Sequence, residues 1–170
     1  MKKLLFALIC WASILSADKS IVGFWKSINE KTGKAECIVA IYAYKNNFYG
    51  RMIGSFNDEG KMDDTVYNPK KRATGLPGQP FYCGMDFIWA LNPRGSVYKG
   101  QILDPEQGDV YKAAVWNENG NLKVEGKLMF FSRTQTWVLA TKNDFPSGFT
   151  MPNTSEFVPL APVDELRPYD

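Results

Sequence analysis

The sequence predicts an all-β domain: eight antiparallel strands in a meander, a long loop after the third strand, and a proline-rich C-terminal tail. Three observations carry this. Short apolar and aromatic segments recur along the chain, turn residues separate them, and no stretch after the first 17 residues has a convincing helical period.

The segments run in order. Ile21 to Ile28 is apolar and aromatic, and Asn29 to Lys34 turns the chain at Gly33. Cys37 to Tyr44 is dense in β-branched and aromatic residues, and Lys45, Asn46 and Asn47 turn it into Phe48 to Phe56. After a long interruption come Asp86 to Leu91, Val97 to Leu103, Val110 to Trp116, Leu122 to Phe130 and Thr134 to Ala140. The connections Asn92–Gly95, Asp104–Gly108 and Asn117–Gly120 are hairpin-like. Leu122, Val124, Gly126 and Leu128 alternate with Lys123, Glu125 and Lys127, so one face is buried and the other wet. An outer-membrane barrel needs an apolar exterior, so charged residues on the outer face favour a water-soluble barrel or sandwich.

The two ends of the chain differ from this middle. Lys2 and Lys3 precede an uncharged run from Leu4 to Leu15, then Ser16, Ala17 and the first acid, Asp18. This reads as a secretory signal, residues 1–17, too short for the roughly 20 residues of a membrane span. Cys10 has no small residue before it, which argues against a lipoprotein anchor. The mature chain is expected to be secreted or periplasmic, with no integral membrane segment. The barrel domain is assigned to residues 18–141. In the tail, residues 142–170, Pro146, Pro152, Pro159, Pro162 and Pro168 favour extended chain, and Phe145, Phe149, Phe157, Val158 and Leu160 suit packing along the domain.

Composition narrows the function. The chain has 170 residues, 45% hydrophobic and 22% charged, with a net charge of +2 and no histidine. Histidine-based triads and histidine-ligated metals are excluded. Removing Lys2 and Lys3 brings the charge to zero, which weakens the nucleic-acid and anionic-membrane readings. No cofactor and no nucleic-acid partner are implied.

Candidate chemistry is sparse. Asp104, Glu106 and Asp109 invite a calcium reading, yet calcium needs more oxygen ligands, and Asp-Pro-x-x-Gly is a turn sequence, so no metal is expected. Asp63 and Asp64 stand together in the loop Asn57 to Gly84, where solvation is the simpler reading than an acid/base pair. The basic run Lys70, Lys71, Arg72 reads as a solvated loop tip in preference to a phosphate site. Cys37 and Cys83 are either a disulfide, favoured by export, or two buried thiols. No nucleophile stands in a motif beside its base, so the chain is not expected to be an enzyme.

Gly23, Phe24 and Trp25 at the first strand look like the Gly-x-Trp signature of the lipocalin and calycin barrels, and Arg133 matches the basic residue that packs over that tryptophan. The ordered set Gly23–Trp25, Thr32–Lys34, Tyr49–Arg51, Gly75–Pro77, Ile102–Gly108 with Tyr111, and Arg133–Trp137 resembles an uncharacterised family of secreted bacterial proteins with a lipocalin-like barrel. Members often carry a Cys-x-x-Cys pair after the third strand, where this chain has Cys83 alone. The resemblance implies an eight-stranded up-and-down barrel closed at one end by Gly23, Trp25 and Arg133.

A barrel of eight strands holds either packed side chains or one small ligand. Phe87, Trp89, Tyr111 and Trp116 are the candidates for an apolar pocket, and the expected partner is a small hydrophobic or amphipathic molecule, fatty acid or lipid-like. The alternative is a non-catalytic protein-interaction or inhibitor module of the cell envelope, using residues 57–84 and the tail.

Overall fold

The computed structural model describes residues 20–129 and 131–160. The segment expected to be a secretory signal, residues 1–17, lies outside the described residues, as do Phe130 and the last ten residues of the tail. Nine strands form one antiparallel sheet: β1 Gly23–Ile28, β2 Ala35–Tyr44, β3 Asn47–Phe56, β4 Met62–Thr65, β5 Asp86–Arg94, β6 Val97–Leu103, β7 Val110–Glu118, β8 Asn121–Leu128 and β9 Phe131–Leu139. Their order is β2-β1-β9-β8-β7-β6-β5-β3-β4, and pairing of β2 with β3 closes eight of them into a barrel. Closure leaves the main ring without an open edge. β4 is an addition within the long loop, where Met62 to Thr65 pairs with the end of β3.

Apolar packing lies on both sides of one wall. Inside, Trp25, Val39, Ile41, Ile88, Val115 and Trp137 belong to the main core. Outside, Ile38, Ala40, Ile53 and Met62 form a second cluster, covered by Phe145, Phe149 and Phe157 of the tail. This explains why β2 reads as a continuous apolar run: both of its faces are covered. On β8 one face is wet, and there Leu122 and Val124 are buried while Lys123 and Glu125 are not.

The tail is fixed by charge as well as by rings. Lys26 of β1 pairs with Asp144, and the Arg51 guanidinium donates to the Val158 carbonyl at 2.6 Å. Two single 3₁₀ turns, Lys142–Asp144 and Thr154–Glu156, interrupt the extended chain expected from its prolines. Neither turn contains a proline, so nothing in them opposes the bend.

Two strand boundaries differ most from the sequence reading: β5 continues through Asn92, Pro93 and Arg94, which pair with β6 instead of forming the connection, and the β8–β9 bend falls elsewhere. β8 ends at Leu128 and β9 begins at Phe131, with Leu128 opposite Phe131 and Gly126 opposite Arg133. The bend therefore falls at Met129, whose φ is 51°, and not at the polar pair Ser132–Arg133. Methionine carries no turn preference, and the uninterrupted apolar run hid the bend.

The loop between β3 and β5 is ordered by specific contacts. Asp64 is 1% exposed, so its carboxylate is not a solvated one. It accepts from the Ser55 hydroxyl at 3.1 Å and the Lys70 amide at 2.7 Å. Asp63 is exposed and pairs with Lys70 at 3.5 Å, and the Arg72 guanidinium lies 4.0 Å over the Phe81 ring. Further on, Gly75 donates to the Pro105 carbonyl at 3.3 Å. A Cβ at Gly75 would collide with the Glu106 carbonyl, and one at Gly108 would stand 2.5 Å from the Gly75 carbonyl. The glycines are there because two backbones touch.

Candidate functional site

Strand direction gives the barrel two distinct ends. At one, β1 begins and β9 finishes, and this end is sealed. The Trp25 indole N–H donates to the Ile21 carbonyl at 2.8 Å, Ile21 is fully buried, and Asn117 donates to the Ser20 carbonyl at 3.3 Å. Gly23 holds a φ of 150°, which L side chains rarely adopt, where the chain enters β1.

Arg133 takes no part in that seal. Trp25 stands opposite Leu139 on β9, six residues beyond Arg133, which at ~3.3 Å per residue is about 20 Å. The Ile21 carbonyl, in the segment before β1, satisfies the tryptophan instead. Arg133 is exposed at the opposite end.

At that opposite end a cavity of about 560 Å³ opens among β6, β7, β8 and β9. Its apolar wall comes from Ile102, Tyr111, Val124, Leu128 and Phe131, and its polar groups include Asp104, Arg133 and Gln135. The volume falls within the ~300–1,000 Å³ usual for a small-molecule site. Gly126 supplies the space: a Cβ there would meet Ile102 at 3.5 Å and Tyr111 at 4.0 Å, ordinary contacts with room beyond.

The electrostatics of this mouth are simple. Asp104 is committed to its own turn, accepting from the amides of Glu106 at 2.9 Å and Gln107 at 3.3 Å. Arg133 has no ion pair among the described residues. Burial, then the carboxylates of Asp109 and Asp104, push the Tyr111 hydroxyl up, so it remains a neutral donor. The mouth can therefore take hydrocarbon along one wall and a hydrogen-bonding or anionic group at its rim.

The four aromatics expected in the pocket divide. Tyr111 lines the cavity. Phe87 faces inward but is packed in the filled core, 6.3 Å from the Trp137 ring. Trp89 lies on the outer wall, its indole N–H on the Asp86 carbonyl and its ring 5.7 Å from Tyr49. Trp116 alternates with the buried Ala113 and Val115 core positions and so also faces outward. A bulge in β5, where Ala90 has a φ of 47°, defeats simple counting of faces along that strand. Leu128 and Phe131 were missed because the strand was read through the bend; the unbroken run Leu128–Phe131 was the available signal.

Beside this mouth a second cavity of about 550 Å³ includes Cys37, Met52, Lys71 and Tyr82. Cys37 and Cys83 are free thiols in the structure, not a bridge. Burial, aided by Glu36, pushes Cys37 up to about 12, and burial with Asp64 also pushes Cys83 up. Both are therefore protonated and weakly nucleophilic near neutral pH.

Comparison with known proteins agrees with this geometry. Residues 23–138 match the family described as "Uncharacterized protein conserved in bacteria (DUF2147)". No curated protein matches. A solved structure, protein HP1028 from the human pathogen Helicobacter pylori, described as belonging to the lipocalin family, is similar with a TM-score of 0.59. It is 17% identical, over 74% of this chain and 86% of that one, so the likeness is one of fold. The match from Gly23 to Val138 spans nearly the whole barrel, and the chain belongs to this bacterial family, with a lipocalin-like fold.

Proposed function

We propose that the chain is an exported, non-catalytic binding protein for a small amphipathic molecule, a fatty acid or similar lipid-like acid. Its hydrocarbon lies against Ile102, Tyr111, Val124, Leu128 and Phe131, and its anionic group meets Arg133. The observation that carries this reading is the cavity of about 560 Å³ at the open end, with an apolar wall and, among its polar groups, a cation without an ion pair among the described residues. The interior toward the sealed end is filled by side chains such as Trp25, Phe87 and Trp137, so a ligand has its place at the open end. Processing after Ala17 and release into the periplasm or the medium complete the proposal.

Native mass spectrometry of protein purified from its own host, followed by lipid extraction, tests it. A bound mass of one acyl or lipid-like acid is the expected result. A clean apo mass, together with no displacement of a fluorescent probe across a fatty-acid panel, contradicts it.

A further inference from the structure

We propose that the tip of the β8–β9 hairpin docks on an anionic lipid bilayer, placing the mouth of the barrel against the membrane. Leu128, Met129 and Phe131 are 41%, 79% and 81% exposed. Single exposed apolar residues are ordinary, but three large ones at the tip of one hairpin form a patch. Their neighbours are basic. Lys127 adjoins Leu128, and Arg133 lies two residues past Phe131. Lys112 stands directly opposite Lys127 in the β7–β8 register, and both are exposed. Like charges in that position repel, and neither lysine has an ion pair among the described residues. A negatively charged surface turns this repulsion into attraction.

The nearby acids lie off the hairpin tip itself. Glu125, on the same face of β8, lies two cross-strand pairs further from the tip than Lys127, opposite Ala114. Asp104, Glu106 and Asp109 belong to the β6–β7 turn, where Asp104 is held by backbone amides. Neutrality of the whole chain is no obstacle, because charges act locally over about 10 Å.

Size decides between a bilayer and a second copy of the chain. Three side chains of this kind expose on the order of 400 Å². A stable protein interface needs about 800 Å² per partner. A short apolar wedge with flanking cations instead suits burial about 5–10 Å into the headgroup boundary. Leu128, Phe131 and Arg133 also border the cavity, so docking is tested at Met129, which does not line it.

Tryptophan placement tests it in the full chain. Met129→Trp puts a reporter at the tip, and Asn46→Trp puts one in the exposed β2–β3 turn at the sealed end. Residues 1–19 are common to both variants, so any membrane contact they make affects both alike. With brominated phosphatidylglycerol vesicles, the added emission of Met129→Trp should be quenched and that of Asn46→Trp should not. Brominated phosphatidylcholine should quench neither strongly, and Lys112→Gln with Lys127→Gln should weaken association about tenfold or more. Equal quenching at both ends, or none at the tip, overturns the proposal. So does quenching indifferent to lipid charge. A concentration-dependent blue shift of the tip tryptophan without lipid overturns it in favour of a second copy.

Discussion

Asp86 grips Arg51 with both carboxylate oxygens, at 3.0 Å to Nε and 2.8 Å to a terminal guanidinium nitrogen. Asp86 is fully buried and Arg51 nearly so. The pair sits on the outer wall, where Asp86 also accepts from the Tyr42 hydroxyl at 2.9 Å and the Leu160 amide at 2.6 Å. The Arg51 guanidinium lies 4.3 Å from the Phe157 ring centroid. β2, β3, β5 and the tail thus meet at one charge pair.

Removing one partner should cost far more than removing both. Asp86→Ala leaves the arginine buried and unpaired, and a loss of about 3–5 kcal/mol in urea unfolding is expected. Arg51→Met combined with Asp86→Leu should recover most of it. A loss within experimental error for Asp86→Ala alone contradicts the latch.

Deleting residues from Ser147 onward should uncover Ile38, Ile53 and Met62, which Phe149 and Phe157 now help to cover. Increased binding of a hydrophobic dye and reduced solubility are expected. A soluble barrel with unchanged dye binding that loses a protein partner in pull-down would instead support a docking role for the tail.

Thiol chemistry should be slow. Because burial holds Cys37 near 12 in the fold, alkylation of the native protein should be far slower than that of the unfolded chain throughout pH 7 to 9.5, and should still be climbing at pH 9.5, where an ordinary thiol levels off. The sign for stability follows. The unfolded thiol ionises first, so this contribution is complete below about pH 8.5 and falls as pH rises toward the folded value. Mass-resolved alkylation and alkaline unfolding curves check both statements.

The close approach of the long loop to the β6–β7 turn is also testable. Gly75→Ala forces two backbones apart and should release the loop. Faster limited proteolysis between residues 66 and 82 is expected, with far-UV circular dichroism unchanged. Cleavage at the wild-type rate contradicts the contact.

Much of the fold was legible because strands declare themselves by alternation and turns by composition. Leu122 to Leu128 shows one buried face, and the Asp104–Gly108 connection has the residues its turn requires. The site was less legible, for physical reasons. Trp89 and Trp116 are large and apolar, but the β5 bulge and the strand period direct them outward. The hairpin at Met129 has no turn residues, so Leu128 and Phe131 read as strand interior. Asp86 and Arg51 are separated by 35 positions, and the pairing of β3 with β5 across the long loop sets them opposite each other.

The central claim is that the cavity beside Gly126 binds an amphipathic acid, and filling that space tests it most directly. Isothermal titration of the protein and its Gly126→Leu variant with a long-chain fatty acid should show one saturable site, weakened at least about tenfold in the variant, with circular dichroism unchanged. No saturable binding to the wild type, or equal binding to both proteins, would contradict it.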